Sequence, residues 1–189
     1  MALRLLTLAV ILTLALAVGA TSDVATAWEG APQTPPARPD LTGTIRSADD
    51  AAPLTGVTVF IHTAGYREGT SPYCPSCYPD CGKRATTDHS GSFVIESLDP
   101  KLEFRVLVAA PGFVPSFATK VDPATGPLEV SLARIALDRL QPNHVMRGRV
   151  VRSDGKPIEG AVALVQTNAG PTDSLAATDK NGEFILTTE

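Results

Sequence analysis

Three short blocks of this 189-residue chain occur twice, in the same order. Each copy has a glycine two residues before Ile or Val, then Pro-x-x-Gly, then Thr-Asp-x-x-Gly-x-Phe. The blocks are Gly43–Ile45 and Gly148–Val150, Pro53–Val57 and Pro157–Ala161, and Thr87–Phe93 and Thr178–Phe184. Agreement across three separated blocks predicts two copies of one structural unit.

Short apolar runs separated by turn residues dominate the chain after its first 27 residues. The clearest runs are β-branched or aromatic: Val57–Ile61, Phe93–Ile95, Phe104–Val108 and Leu128–Leu132. Several alternate apolar with polar residues, as half-buried strands do. Short strands at this spacing predict an all-β sandwich.

Each copy supplies four residues to two predicted turns and the strands that follow them. The first is a glycine at the turn that leads into a strand. Next, an aspartate accepts hydrogen bonds from backbone N–H groups across its own turn, and a second glycine closes that turn. Last, a phenylalanine begins the next strand and buries its ring. Calcium binding is an alternative role for the aspartates, but neither turn offers the six or more oxygens that calcium prefers. The residues are Gly56, Asp88, Gly91 and Phe93, then Gly160, Asp179, Gly182 and Phe184.

The repeated pattern, together with Phe104–Phe113 (Phe-Arg-Val-Leu-Val-Ala-Ala-Pro-Gly-Phe), resembles the carboxypeptidase regulatory-like family. The resemblance covers residues 41–134 fully and 145–189 in part. It implies tandem transthyretin-like (prealbumin-like) Greek-key β-sandwich domains, similar also to starch-binding-like domains. The family's sandwich is an accessory domain of many exported proteins and not the peptidase itself, and such a scaffold is reused for many roles.

The N-terminus predicts export. A basic start, the apolar run Leu5–Ala20 and the small residues Ala25–Ala27 describe a signal peptide over 1–27, with cleavage after Ala27 or Ala20. An uncleaved anchor is the alternative, although the run is shorter than the roughly 20 residues of a spanning helix. We expect a periplasmic or extracellular protein with no stable membrane span after cleavage.

The remaining sequence divides into four segments. Residues 28–40 form a proline-rich linker, 41–134 the first domain, 135–144 a second linker, and 145–189 the second domain. The first copy continues from Phe93 to Leu132, whereas the second stops five residues after Phe184. We therefore expect a truncated second domain and a fragment of a longer product.

Charge and motifs argue against several functions. The net charge of −4 offers no basic surface for nucleic acid. His62, His89 and His144 lack a Glu at zinc-peptidase spacing, and no nucleophile elbow or P-loop is present. We expect an exported, non-catalytic accessory module for binding or structural support, with a protein or glycan partner. An accessory segment of a longer exported enzyme is an alternative.

The first copy carries a cysteine-rich loop, predicted over 64–84, that the second copy lacks. Gly56 and Thr87 are 31 residues apart, whereas Gly160 and Thr178 are 18 apart. The extra residues include all three cysteines of the chain, Cys74, Cys77 and Cys81. Because loops carry function more often than scaffolds do, this insertion is the main candidate site.

Three hypotheses compete for the cysteines. A disulfide could pin the long loop and leave one thiol over. Zinc could bind the three thiolates, with His62 at the base of the loop as the fourth ligand. Thiol redox exchange is the third, although no thioredoxin-like pattern surrounds the C-x-x-C. Tyr73 and Tyr78 would cover the loop's own small core or contact a sugar or protein.

Overall fold

The computed structural model describes residues 37–168 and 170–187. The predicted signal peptide and residues 28–36 of the predicted linker lie outside these ranges. The last residues of that linker run directly into the first strand, which begins at Leu41, as the sequence predicts.

The fold is all-β, as predicted. Among the described residues, no helix has the length and apolar character needed to cross a membrane. Single 3-10 turns lie at Pro123–Thr125, Leu137–Arg139 and Pro142–His144, the last two within the predicted second linker. The strands are β1 (Leu41–Ser47), β2 (Thr58–Tyr66), β3 (Arg84–Thr86), β4 (Ser92–Ile95), β5 (Leu102–Ala109), β6 (Ser116–Val121), β7 (Leu128–Leu132), β8 (Val145–Arg149), β9 (Val162–Thr167), β10 (Gly170–Ala177) and β11 (Glu183–Thr187).

The first copy is sandwich-like and built from two sheets, ordered β4-β1-β7 and β3-β2-β5-β6. Strand β1 is antiparallel to β4 and parallel to β7. Its alternating residues Leu41 and Ile45 are fully buried because they face the core. Residues of both sheets share that core, including Val59, Phe104 and Val106.

Strands β2 and β3 extend into the predicted loop 64–84 and leave residues 67–83 between them. A register shift between Ile61 and Thr63 lets β2 continue, so that Ala64 pairs with Phe104 and Tyr66 pairs with Leu102. From the sequence, this strand is expected to end at His62, just after the apolar run Val57–Ile61; in the structure it continues to Tyr66.

The second copy repeats the pairing of the first with fewer strands. Its sheets are the pairs β8–β11 and β9–β10. Gly148 pairs with Phe184 as Gly43 pairs with Phe93. Likewise, Val162 pairs with Ala177 as Thr58 pairs with Thr86. The repeated blocks therefore occupy equivalent places in the two copies.

The two copies also contact each other. A second apolar cluster joins Leu107 and Ala109 of β5 to Leu175 and Ala177 of β10. These β5 residues alternate with the core residues Val106 and Val108, so the strand is buried on both faces. This double burial explains why the sequence from 106 to 110 is continuously apolar.

Candidate functional site

A buried threonine organises the same corner of each copy. The Oγ1 of Thr87 accepts from the Val57 amide at 2.9 Å and donates to the Leu54 carbonyl at 2.6 Å. Thr178 makes the same two bonds at the same distances, with Ala161 and Ile158. Backbone bonds from the amides of Gly56 and Gly160 to the two threonine carbonyls, both 3.0 Å, complete the corner.

The aspartates after these threonines close the next turn. Asp88 Oδ1 accepts from the amides of Ser90 and Ser92 at 2.8 and 2.9 Å. Asp179 Oδ1 accepts from the equivalent amides of Asn181 and Glu183 at the same distances. Hydrogen bonds from Ser90 and Ser92 hold the pKa of the Asp88 carboxyl below its usual range, and His89 adds a smaller effect. Both carboxylates are thus used as local acceptors.

Glycine is required where each turn closes. Gly91 and Gly182 have φ of +76° and +74°. A Cβ on Gly91 would lie 2.5 Å from the Ile45 carbonyl oxygen, and one on Gly182 would lie 2.3 Å from that of Val150. Gly56 and Gly160 also have positive φ. The rings of Phe93 and Phe184 lie close against Gly43 and Gly148, respectively.

The cysteine loop contains one disulfide, between Cys74 and Cys77, and Cys81 remains a partly buried thiol. The disulfide spans only three residues, so it closes a small ring within the loop instead of joining its two ends. The Cys81 thiol donates to the carbonyl of Pro75, inside that ring, at 3.4 Å. One disulfide with one thiol left over agrees with the disulfide hypothesis. The disulfide does not hold the long loop against the sandwich, however; Asp80, Arg38 and Lys83 do so.

Asp80 anchors the loop to the sandwich. It is 1 % exposed, and its carboxylate contacts both Arg38 and Lys83 at 2.9 and 2.8 Å. It also accepts from the Asp99 amide at 2.9 Å. Burial alone would raise the pKa of this carboxyl, but the Lys83 hydrogen bond, the Asp99 amide and the charges of Lys83 and Arg38 lower it overall. The ionised form of Asp80 is therefore the one that the fold stabilises.

The two cations that contact Asp80 tie three segments together. Arg38 Nε donates to the Ser97 carbonyl at 2.7 Å, and Lys83 Nζ donates to the same carbonyl at 2.7 Å. At the base of the loop, the Gly82 amide donates to the Ile61 carbonyl at 2.9 Å. The loop thus has a rigid base without any cross-link between its ends.

Three tyrosines line the outer part of the loop. Tyr78 is buried against the main core, and its hydroxyl contacts that of Ser71. Tyr66 and Tyr73 meet the Tyr78 ring edge-to-face, with centroids 5.9 and 5.7 Å away. Tyr73 remains 59 % exposed. Of the two predicted roles, Tyr78 fills the core and Tyr73 stays available for contact.

An open cleft of about 330 Å³ lies at these tyrosines. A second hollow shares Tyr66 and continues past Arg67, Glu68 and Lys101. Aromatic surface with a few polar groups at its edge is the usual composition of a small-molecule site. The cleft is lined by Tyr66, Tyr73, Cys77, Tyr78, Pro79, Asp99 and Leu102.

His62 lies at the base of the loop by its backbone, but its ring packs elsewhere. The ring meets Phe117 at 5.3 Å and Phe60 at 6.4 Å, both edge-to-face. Those phenylalanines pack against the cluster between the two copies. In the part of the chain that the structure describes, no three His, Cys, Asp or Glu side chains are grouped to hold a metal. Zinc binding stays a prediction that requires the Cys74–Cys77 disulfide to be reduced.

Burial raises the pKa of the Cys81 thiol, and the negative charge of Asp80 raises it further. Hydrogen bonds from the backbone at Tyr78 and Ala64 act in the opposite direction and are outweighed. A raised pKa keeps the thiol protonated near neutral pH, whereas the thiolate is the nucleophile. This environment protects Cys81 from reaction instead of activating it.

Comparisons with known proteins do not assign the chain to a family. No protein-family model matches the sequence, and no curated protein gives a significant match.

Several residues of the site were missed from the sequence. Tyr66 falls within the predicted loop 64–84, and its sequence context gives it no role, although it ends β2. Arg38 falls within the predicted linker, and nothing in its sequence context indicates that it meets Asp80, 42 residues later. Thr87 and Thr178 did carry a signal, since both copies keep a threonine before the turn aspartate.

Proposed function

We propose that this chain is an exported, non-catalytic accessory module that binds carbohydrate at the tyrosine-lined cleft of its first domain. The scaffold in this proposal is a tandem pair of transthyretin-like Greek-key sandwiches of the carboxypeptidase regulatory-like type. The matching hydrogen bonds of Thr87 and Thr178 support a shared architecture for the two copies. The predicted signal peptide supports export.

The observation that carries the proposal is the exposed ring of Tyr73 beside the buried ring of Tyr78. The first copy alone has this insertion, and Tyr73 is 59 % exposed and is not part of the main core. Tyrosine offers an apolar face together with a hydrogen-bonding hydroxyl, which suits the mixed surface of a sugar ring. Asp99, at the edge of the cleft, supplies a carboxylate to accept from sugar hydroxyls.

Affinity electrophoresis in gels containing soluble starch, β-glucan or solubilised peptidoglycan tests this function. We expect retardation in at least one gel, and we expect Tyr73→Ala to remove most of it. Val114→Ala is the matched control, because Val114 is also exposed but lies outside the cleft. Equal retardation of the wild type and Tyr73→Ala, or none in any gel, would contradict a sugar site here. If Tyr73 instead proved necessary for binding a protein partner, the cleft would be a protein-binding site and not a sugar-binding site.

Thiol exchange at the cysteine loop is the second candidate. It is favoured by the exposed Cys74–Cys77 disulfide with the Cys81 thiol bonded to its ring. Replacing all three cysteines with serine separates the candidates. Carbohydrate binding should survive that replacement. Reduction of the protein by thioredoxin-type dithiols should be lost, and the absorbance change that accompanies consumption of the reductant measures it.

A further inference from the structure

Asp99 is the one charged side chain among the described residues that line the tyrosine-lined cleft. It is half-buried, and no cation forms an ion pair with it within the part of the chain that the structure describes. Its neighbour Asp80, which accepts from the Asp99 amide at 2.9 Å, instead contacts both Arg38 and Lys83. The protein therefore neutralises one of these two carboxylates and leaves the other charged at the cleft.

The Asp99 carboxylate is held in position by its own turn. Its Oδ1 atom accepts from the Lys101 amide at 2.9 Å, and its backbone is fixed by the hydrogen bond to Asp80. The other oxygen, Oδ2, accepts no hydrogen bond from any described residue. A carboxylate that is fixed and only half used offers an acceptor to a donor group in the cleft.

Two cations lie close to the cleft, but neither of them lines it. Arg67 and Lys101 line the second hollow, which adjoins the cleft at Tyr66. The Arg67 guanidinium is bound to the Asp122 carboxylate, and Glu68 brings a negative charge to the same hollow. The charges of the hollow are therefore largely balanced among themselves, and the cleft keeps its negative charge.

The tyrosine rings supply aromatic faces beside this carboxylate. The rings of Tyr66 and Tyr73 stand at 89° and 76° to the ring of Tyr78, so their faces look in different directions from it. The face of an aromatic ring attracts a cation within about 6 Å of its centre. Two phenylalanine rings of this protein already hold a guanidinium in this way, at 3.8 and 4.9 Å, whereas no cation of the described residues lies over a cleft tyrosine.

Aromatic faces beside a carboxylate that the protein does not neutralise are complementary to an organic cation. We propose that the cleft binds glycans that carry free amino groups, as deacetylated hexosamines do, in preference to neutral glycans. The ammonium group donates to Asp99 and lies against the tyrosine rings. This inference rests on the proposed carbohydrate-binding function and names its ligand class. Acetylation of the amine removes the charge on which both interactions depend.

Three β-1,4-linked oligosaccharides of equal length test the preference, because they differ only in the group on C2. They are short oligomers of glucosamine, N-acetylglucosamine and glucose, and calorimetric titration of the whole protein at about pH 5.5, where an amine keeps its proton, gives each dissociation constant. We expect the glucosamine oligomer to bind about tenfold more tightly than either neutral oligomer. Short oligomers are needed because a long polycation would adhere to any protein with a net charge of −4.

Asp99→Asn tests the carboxylate without disturbing the turn, because the amide oxygen of Asn can still accept from the Lys101 amide. We expect the glucosamine oligomer to lose most of its advantage and the neutral oligomers to bind almost as before, in protein whose folding is verified by circular dichroism. Asp138→Asn is the matched control, since Asp138 is exposed, does not line the cleft and loses the same charge. It should leave the advantage unchanged.

Two further variants separate the charge from the aromatic surface. Tyr73→Ala should weaken binding of all three oligomers, because each of them packs on that ring. Lys101→Gln removes a positive charge of the neighbouring hollow, so it should leave the glucosamine oligomer bound at least as tightly as before. Weaker binding of that oligomer to Lys101→Gln would contradict recognition of a cation.

The possible failures are distinguishable. Equal binding of the three oligomers, lost together in Tyr73→Ala, would overturn the preference for amines while the proposed carbohydrate-binding function stands. A preference that persists in folded Asp99→Asn, or that falls equally in Asp138→Asn, would be a general attraction of cations to an acidic protein and would also overturn the inference. Binding of none of the oligomers would contradict the inference and the proposed function together.

Discussion

Thr87 and Thr178 make the same pair of side-chain hydrogen bonds in the two copies, each accepting at 2.9 Å and donating at 2.6 Å. Both side chains are buried, so neither bond can be replaced by water. Each threonine joins the strand entry at the Pro-x-x-Gly block to the turn at the Thr-Asp block. This link explains why the two blocks occur together.

Replacing either threonine with valine should destabilise the protein by about 1–3 kcal/mol, because a buried amide and a buried carbonyl lose their partner. Urea unfolding of Thr87→Val and Thr178→Val measures the change. Thr42→Val is the control on an exposed strand position and should lie within about 0.5 kcal/mol of the wild type. Wild-type stability in both buried variants would contradict the structural role of the pair.

Asp80→Asn should lower the free energy of unfolding by about 1–3 kcal/mol near neutral pH, because it removes charge-assisted hydrogen bonds to Arg38 and Lys83. The folded-state pKa of Asp80 is lowered, so its contribution is fully present above the unfolded value of about 3.9 and is lost as the pH falls through the folded value. The stability gap to the wild type should therefore be constant from pH 5 to 8 and shrink in acid.

Denaturant midpoints across this pH range measure the gap. Asp154→Asn is the control, since its pair with Lys156 at 3.5 Å is exposed and should contribute less than about 1 kcal/mol. If the Asp80 gap widened below pH 4, or if the two variants were equally stable, Asp80 would not be the anchor of the loop.

The all-β class and the strand positions followed from the sequence because alternation and turn residues are local signals. Three of the four apolar runs lie wholly within strands, and the fourth, Val57–Ile61, lies in β2 from its second residue onward. The extension of β2 to Tyr66 could not be predicted, since its residues have no apolar pattern and are held by pairing with β5. The continuous apolar run from 106 to 110 is typical of a strand buried on both faces, but it does not indicate that the second copy covers the outer face of β5.

The position of the candidate loop could be predicted from the sequence because comparing the two copies shows it to be an insertion. The contacts within the loop could not be predicted in this way. The anchor at Asp80 depends on Arg38, which is distant in sequence. Whether His62 can reach the cysteines depends on which face of the sheet its ring occupies. The register shift between Ile61 and Thr63 interrupts the regular alternation of side chains, so this face cannot be predicted by counting along the strand. Tyr78, for which the sequence left two roles open, packs into the main core and not into a small core of the loop's own.

Reducing the Cys74–Cys77 disulfide should leave the loop in place. A ring closed by so few residues stabilises by no more than about 2 kcal/mol. Hydrogen exchange of the Asp99 amide, which donates to Asp80, should stay slow when a phosphine reductant is added. Asp80→Asn should speed that exchange without reductant. Rapid exchange on reduction alone would instead make the disulfide the element that pins the loop.

Cys81 should react slowly with iodoacetamide at pH 7.5, at least about tenfold slower than N-acetylcysteine, because burial and Asp80 raise the pKa of its thiol and leave little thiolate. The rate should still be rising above pH 8.5, the ordinary value for a thiol. Asp80→Asn removes one of the two causes, so the midpoint of the rate profile should move to lower pH in folded protein, as verified by circular dichroism. Mass spectrometry of the modified peptide gives the rates at Cys81 alone. A midpoint below pH 8 would mark an activated thiol and would favour thiol exchange over carbohydrate binding as the function of the loop.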